Sequence, residues 1–403
     1  MSGLLSYVFG EDRKSQAINL PSVEVHHIET NPDRRARSLK HLLKANHVNY
    51  SVVYNRNIFD NHNAHILSSA YLLGASSTQL HAIYEEQVKE LEAWVPSPAE
   101  LIDNDWVDFL GDAHYQRAYV DFFEDKLAME YAYNWKKVVE YFMFASERPL
   151  VHGLICGLGH PLIQLGYAYE MDSKEIAMEA LTLASVQHDF LYKYSSEAKY
   201  TRKSSLEAKP LLELVKELSR DKILSRLPRK IGYLDLESTM AGNEDVILDY
   251  WNAWDVSNPQ TAFEDSQKAV VTIFMSSANK KSRKYDFFIV HLLSTSYAVR
   301  VLLPVFPEAH RVKLIRQWWL LVLAVLILRG RPHPDYETVD EDVNGRDWDS
   351  IQSKALDSPY SNDAHFVKAI RAMKDLANTW GDGDGYYLRA AGTFVDSFRG
   401  WIF

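Results

Sequence analysis

The chain has 403 residues, 47% apolar and 24% charged, with 44 basic against 54 acidic side chains and a formal net charge of −10. That balance excludes a nucleic-acid or anionic-lipid partner gripped by clustered Lys and Arg, and the single Cys156 excludes an intramolecular disulfide. Ten Trp, 23 Tyr and 17 Phe supply rigid area for a large core and for pockets that take planar ligands, so a small molecule is the expected partner.

Met1 to Val8 carries no basic stretch leading into a long apolar run, which with the lone cysteine predicts a reducing, cytoplasmic location. Asn61-His62-Asn63-Ala64-His65 opens a predicted helix that runs into Ile66 to Ala75, where His62 and His65, three apart, share a face. Apolar residues at spacings of three and four predict helices over 67–73, 83–94 and 122–144. In Gly157-Leu158-Gly159-His160-Pro161, the proline suits the first helical position, where a missing N–H costs nothing, so His160 falls at or near an N-cap.

Helices are predicted over 175–191, 211–218, 246–254, 266–276, 286–303 and 310–328, with His291 alone in an apolar run and therefore buried. Trp318 to Leu328 is 11 residues flanked by Arg316, Arg329 and Arg331, short of the ~20 that cross a bilayer, and reads as a buried helix. Residues 331–363 are polar, with Asp335, Glu337, Asp340, Glu341, Asp342, Asp347 and Asp349, and predict a surface excursion. After a capping Asn362-Asp363, His365 and Lys368 share a helix face. Trp380 to Tyr386 lacks the spaced oxygens and terminal Glu of a calcium loop and reads as a turn. Strand signals are few, and the Pro and Gly breaks separate helices, not domains. The expectation is an all-α, large multi-helix bundle, residues 1–403 forming a single interlocked helical domain.

Imidazoles collected from separate helices are how a bundle assembles an internal metal site. His65, His160, His291 and His365 each sit among apolar neighbours, where an unpaired ring costs free energy unless it finds a hydrogen bond or a metal. Singly, each also suits a satisfied core histidine, and the choice between His62 and His65 as ligand stays open. Lys368 either pairs at the surface with Asp363 or Asp375, or is buried and neutral, able to take up carbon dioxide as a metal-binding carbamate. Arg331 either holds a phenolate or carbonyl or makes a structural ion pair. Tyr71, Tyr167, Trp318 and Trp319 either stack on a planar ligand or pack the core.

Together the Asn-His-x-x-His opening at 61–65, Gly-Leu-Gly-His-Pro-Leu-Ile-Gln-Leu-Gly-Tyr-Ala at 157–168, Glu179 to Ala184, Phe287 to Pro304, and Gly330-Arg331-Pro332 through His365-x-x-Lys368 resemble the questin oxidase-like family, fungal enzymes that oxidatively open anthraquinone rings. The resemblance implies an oxygenase using Fe(II) and dioxygen on an aromatic polyketide. It implies His65, His160, His291, His365 and Lys368 as metal ligands, and His62 and Arg331 as catalytic side chains. The alternatives are a Baeyer–Villiger-type reaction drawing on NADPH and a non-catalytic helical carrier of an aromatic metabolite. No glycine-rich turn follows a convincing strand, and no Gly-x-Ser-x-Gly elbow or phosphate loop occurs.

Overall fold

A computed structural model describes residues 17–335, 338, 339, 342 and 345–403, and among these helices predominate. The opening segment Met1 to Val8, and Glu337, Asp340 and Glu341 of the polar excursion, lie outside the described residues. Buried apolar side chains from Ile18 to Phe398 form one contiguous cluster, and no described helix is long and apolar enough to cross a membrane.

Four helices carry the candidate histidines. Asn63–Leu72 starts at His62, and its entry is fixed by Asn61, whose side chain accepts from Asn63 N at 3.0 Å and donates to Asn46 and Ser51. His160–Met171 follows three consecutive left-handed residues, Gly157, Leu158 and Gly159 (φ 54°, 57° and 80°), with Pro161 in its first turn. That tight passage needs glycine. A Cβ on Gly159 would lie 2.5 Å from Thr295 Cγ2 and 2.9 Å from Leu321 Cδ2. Val290–Leu302 is buried along its whole length, which a helix achieves only when packed on several sides. Ala364–Trp380 begins at Asp363, whose carboxylate accepts from His365 N at 2.9 Å and Phe366 N at 3.0 Å.

These helices are mutual neighbours: His160–Met171 packs on Val290–Leu302, which packs on Ala364–Trp380, which packs on Asn63–Leu72. The first pair approaches closely at Gly166, where an added Cβ would stand 3.2 Å from Ala298 Cβ. Glu308–Leu328 holds the predicted Trp318 to Leu328 segment fully buried. Among the described residues, strands are confined to two short pairs. Val53–Tyr54 runs antiparallel to Phe59–Asp60, and Tyr285–Asp286 runs parallel to Trp401–Ile402.

Several predicted boundaries shift for local reasons. Helix 83–94 is Ser77–Gln87, drawn upstream by a capping box between Ser76 and Gln79. The 122–144 helix is broken where Ala132 and Tyr133 turn left-handed, leaving Gln116–Met129 and Trp135–Glu140. The 331–363 excursion contains the helix Trp348–Leu356, capped by Asp347 and Ser350 and anchored by buried Ile351 and Ala355.

Candidate functional site

Five imidazoles meet between these helices. Ring centroids are 5.0 Å apart for His62 and His160, 4.8 Å for His62 and His365, 4.9 Å for His291 and His365, and 5.1 Å for His160 and His291. His65 lies 5.3 Å from His62 and stacks on His160 at 6.1 Å. One ring nitrogen from each of His62, His160 and His365 falls within 4.8 Å of the others.

Hydrogen bonds to the backbone decide which nitrogens face inward. A carbonyl oxygen only accepts, so a ring nitrogen touching one must carry the proton. Nδ1 donates to Asp60 O at 2.6 Å in His62, to Gly157 O at 2.6 Å in His160 and to Phe287 O at 2.9 Å in His291. In the neutral ring each Nε2 is then a bare lone pair. Two of these lone pairs, on His62 and His160, face each other at 3.1 Å, and His291 Nε2 faces His365 Nε2 at 3.3 Å. Both nitrogens of His65 are buried without a hydrogen-bond partner.

Burial, and next the charge of Lys368, hold His62, His65 and His365 well below the ordinary imidazole pKa. His291 is lowered in the same way by burial, then by His160 and Lys368. His160 is lowered by burial too, against the opposing Asp60 carboxylate, whose Oδ2 is 3.2 Å from Nδ1. These rings are therefore neutral at neutral pH, and the facing Nε2 atoms of His62 and His160 have no proton to share. Lys368 is 1% exposed, its Nζ has no partner, and burial lowers its pKa to about 7. The surface pairing with Asp363 or Asp375 is not what the fold builds.

Behind the rings, Asp60 bridges His160 and the amide of Gln187. Tyr167 stacks on His65 at 5.4 Å while its hydroxyl meets Ser69 Oγ at 2.5 Å. Gln164 donates to Glu179 at 2.6 Å, and Glu179 bonds His47 at 3.0 Å. In front, Phe287 packs on His365 at 4.5 Å, and a cleft of about 470 Å³ leads from His62 and His365 to solvent. Arg331 is not brought to this cluster: its guanidinium faces Leu227 O at 3.5 Å and the charge of Asp221. Tyr71 lies against His26 and Arg35. Trp318 donates to Thr295 Oγ1 at 3.1 Å, beneath the His291 helix, and Trp319 donates to Tyr250 O at 3.2 Å.

Asp60, Gln187, Phe287 and Trp401 are site residues that sequence reasoning missed. Only Asp60, one residue before Asn61-His62, carried a local signal, an acidic side chain beside a histidine pair.

The sequence model described as questin oxidase-like matches residues 59–373, which spans every one of these histidines and Lys368. The chain belongs to the questin oxidase-like family. It is 28% identical to a Baeyer–Villiger oxidase of Pestalotiopsis microspora over 88% of this chain and 85% of that protein. It is 24% identical to a Baeyer–Villiger oxidase of Emericella nidulans, covering 93% of this chain and 90% of the other. A questin oxidase of Aspergillus fumigatus is 26% identical, covering 86% and 82%. The relatives it matches are named as oxidases, which supports an oxidoreductase.

Proposed function

We propose that this protein is a non-haem iron oxygenase that opens a ring of a hydroxyanthraquinone-type polyketide with dioxygen, in a reducing cytosol that keeps the buried Cys156 a thiol. The observation that carries it is the convergence of imidazole lone pairs whose opposite nitrogens are tied to backbone carbonyls. The lone pairs of neutral His62 and His160, facing at 3.1 Å, repel. A cation between them removes that repulsion. The spacing within each facing pair, 3.1 and 3.3 Å, also matches neighbouring ligands of one ion, since two nitrogens each ~2.1 Å from a common metal are ~3.0 to 3.4 Å apart in octahedral or tetrahedral sites.

His62, His160, His291 and His365 would hold the metal through Nε2, with His65 as the remaining imidazole beside them. This moves His62 from a catalytic role into the ligand set. Lys368, buried and with its pKa lowered to about 7, would contribute as a carbamate, replacing a cation that repels the metal with an oxygen donor. Iron(II), when bound, supplies the redox centre at which dioxygen is activated. The Asp60 carboxylate fixes the His160 ring and adds negative charge near the cluster. Neutral, desolvated imidazoles exclude protons from the site at neutral pH. The cleft admits a planar substrate edge-on to His62 and His365. Arg331, facing Leu227 and Asp221, takes no part.

The Baeyer–Villiger names of the relatives favour a second reading, oxygen insertion beside a ring carbonyl with NADPH as hydride source. One experiment separates them. Protein purified without chelator is assayed for metal and for oxygen uptake with a hydroxyanthraquinone. Near-stoichiometric iron and NADPH-independent oxygen consumption support the proposal; strict NADPH dependence in metal-free protein contradicts it. Intact mass in bicarbonate buffer, with and without metal, tests the carbamate, and an unmodified Lys368 in the iron-loaded protein removes it.

A further inference from the structure

The cleft over the imidazoles is lined by two chemically distinct sets of residues. In the first, an aromatic file leads outward from His365: Phe287 lies 4.5 Å from that ring, Phe403 4.6 Å from Phe287, and Trp401 6.2 Å from Phe287. The file is fixed from behind. Trp401 Nε1 donates to Asp363 Oδ2 at 2.6 Å, the carboxylate that also caps the His365 helix, and Lys230 Nζ donates to Phe403 O at 2.7 Å. The Phe403 side of the file is nevertheless open, with the residue 69% exposed. A large aromatic residue held in place by its backbone, with its ring left to solvent at the mouth of a cleft, is placed to stack on a planar ligand.

The cleft is also lined by Glu86, Gln87, Glu90 and Leu91. Among the described residues, the acidic lining residues are Glu86, Glu90 and Asp363, and no Lys or Arg lines the cleft. Asp363 is committed to Trp401 and the helix cap, and Lys89 pairs with Glu86 from outside. An entering ligand therefore meets a negative field that opposes carboxylates.

We propose that this cleft is the ligand channel for a planar, uncharged polyphenol stacked on the exposed ring of Phe403, and that Glu86 and Glu90 turn away carboxylated analogues of the same ring system. The inference rests on the oxygenase reading for its choice of ring system, but it is tested by binding, without turnover. Metal-free full-length protein is titrated calorimetrically with danthron, a neutral dihydroxyanthraquinone, and with rhein, its carboxylated analogue. Danthron binds about tenfold more tightly than rhein, as two carboxylates near one approaching charge produce at short range. Phe403→Ala, at an exposed position outside the core, weakens danthron about fivefold. The double variant Glu86→Gln, Glu90→Gln leaves danthron unchanged and brings rhein close to it.

Equal binding of the two ligands to the unaltered protein, or unchanged danthron affinity in Phe403→Ala, overturns the inference. So does a preference for danthron that survives the double variant. Iron uptake, measured on separate aliquots of each preparation incubated with Fe(II), keeps the two readings apart. Lost discrimination with iron still taken up removes the channel alone, whereas intact discrimination in protein that takes up no iron upholds the channel and contradicts the oxygenase.

Discussion

Lys368 is the residue whose chemistry and surroundings conflict most. An ammonium without a partner beside five imidazoles raises the cost of folding, and burial answers by lowering its pKa to about 7 from an ordinary value near 10.5. Lys368→Met is therefore expected to stabilise the metal-free protein in carbonate-free buffer by on the order of 1–3 kcal/mol and at the same time abolish tight metal binding. Thermal melts and metal titration read the two effects separately, and a variant that is destabilised without metal contradicts the assignment. His62 and His65 pose a second question at this scale. His62→Ala is expected to lower iron content more than His65→Ala, because only His62 has its Nδ1 committed to a carbonyl and its Nε2 set against His160; equal losses would remove the distinction. The histidines were legible in the sequence because a polar ring in an apolar run stands out. Phe287 and Trp401 were not, since an aromatic residue in such a run is indistinguishable from core until its neighbours are known.

At the scale of elements, the site depends on how each helix starts. Gly159 holds φ 80° with no room for a Cβ, so Gly159→Ala combines left-handed strain with collision against Thr295 and Leu321. A loss of roughly 2–4 kcal/mol in chemical denaturation is expected, with His160 displaced; a loss under about 1 kcal/mol would show that the turn relaxes freely. Asp363→Ala removes an N-cap and the Trp401 anchor together, and is expected to cost about 1–2 kcal/mol. The helix openings at 160 and 364 were readable from Gly-His-Pro and Asn-Asp because capping chemistry is local. The break within 122–144 and the helix at 348–356 were not, since the first turns on two left-handed non-glycine residues and the second on burying only Ile351 and Ala355.

For the whole molecule, the clustered rings make stability depend on pH. His62, His65, His291 and His365 have folded pKa values well below 6.5, so below about pH 6.5 the unfolded chain takes up protons that the folded chain does not. Stability present above that pH is lost on acidification, by up to about 1.4 kcal/mol per histidine per pH unit. His47, bridging Glu124 and Glu179 with its pKa raised to about 10, acts oppositely: its contribution is complete below pH 6.5 and is lost as pH rises through about 10. The melting temperature of metal-free protein should fall from pH 7 to pH 5, and a flat profile would contradict neutral burial of the cluster. The helical class was legible from periodicity along the chain. Convergence of His62, His160, His291 and His365 was not, because it is set by which helices lie side by side, and the family resemblance supplied what spacing could not. Anomalous diffraction at the iron edge, on crystals of protein purified without chelator, tests the site most directly. A single iron peak among the Nε2 atoms of His62, His160, His291 and His365 is the predicted result; a map with no iron there, or with iron bound elsewhere, would contradict it.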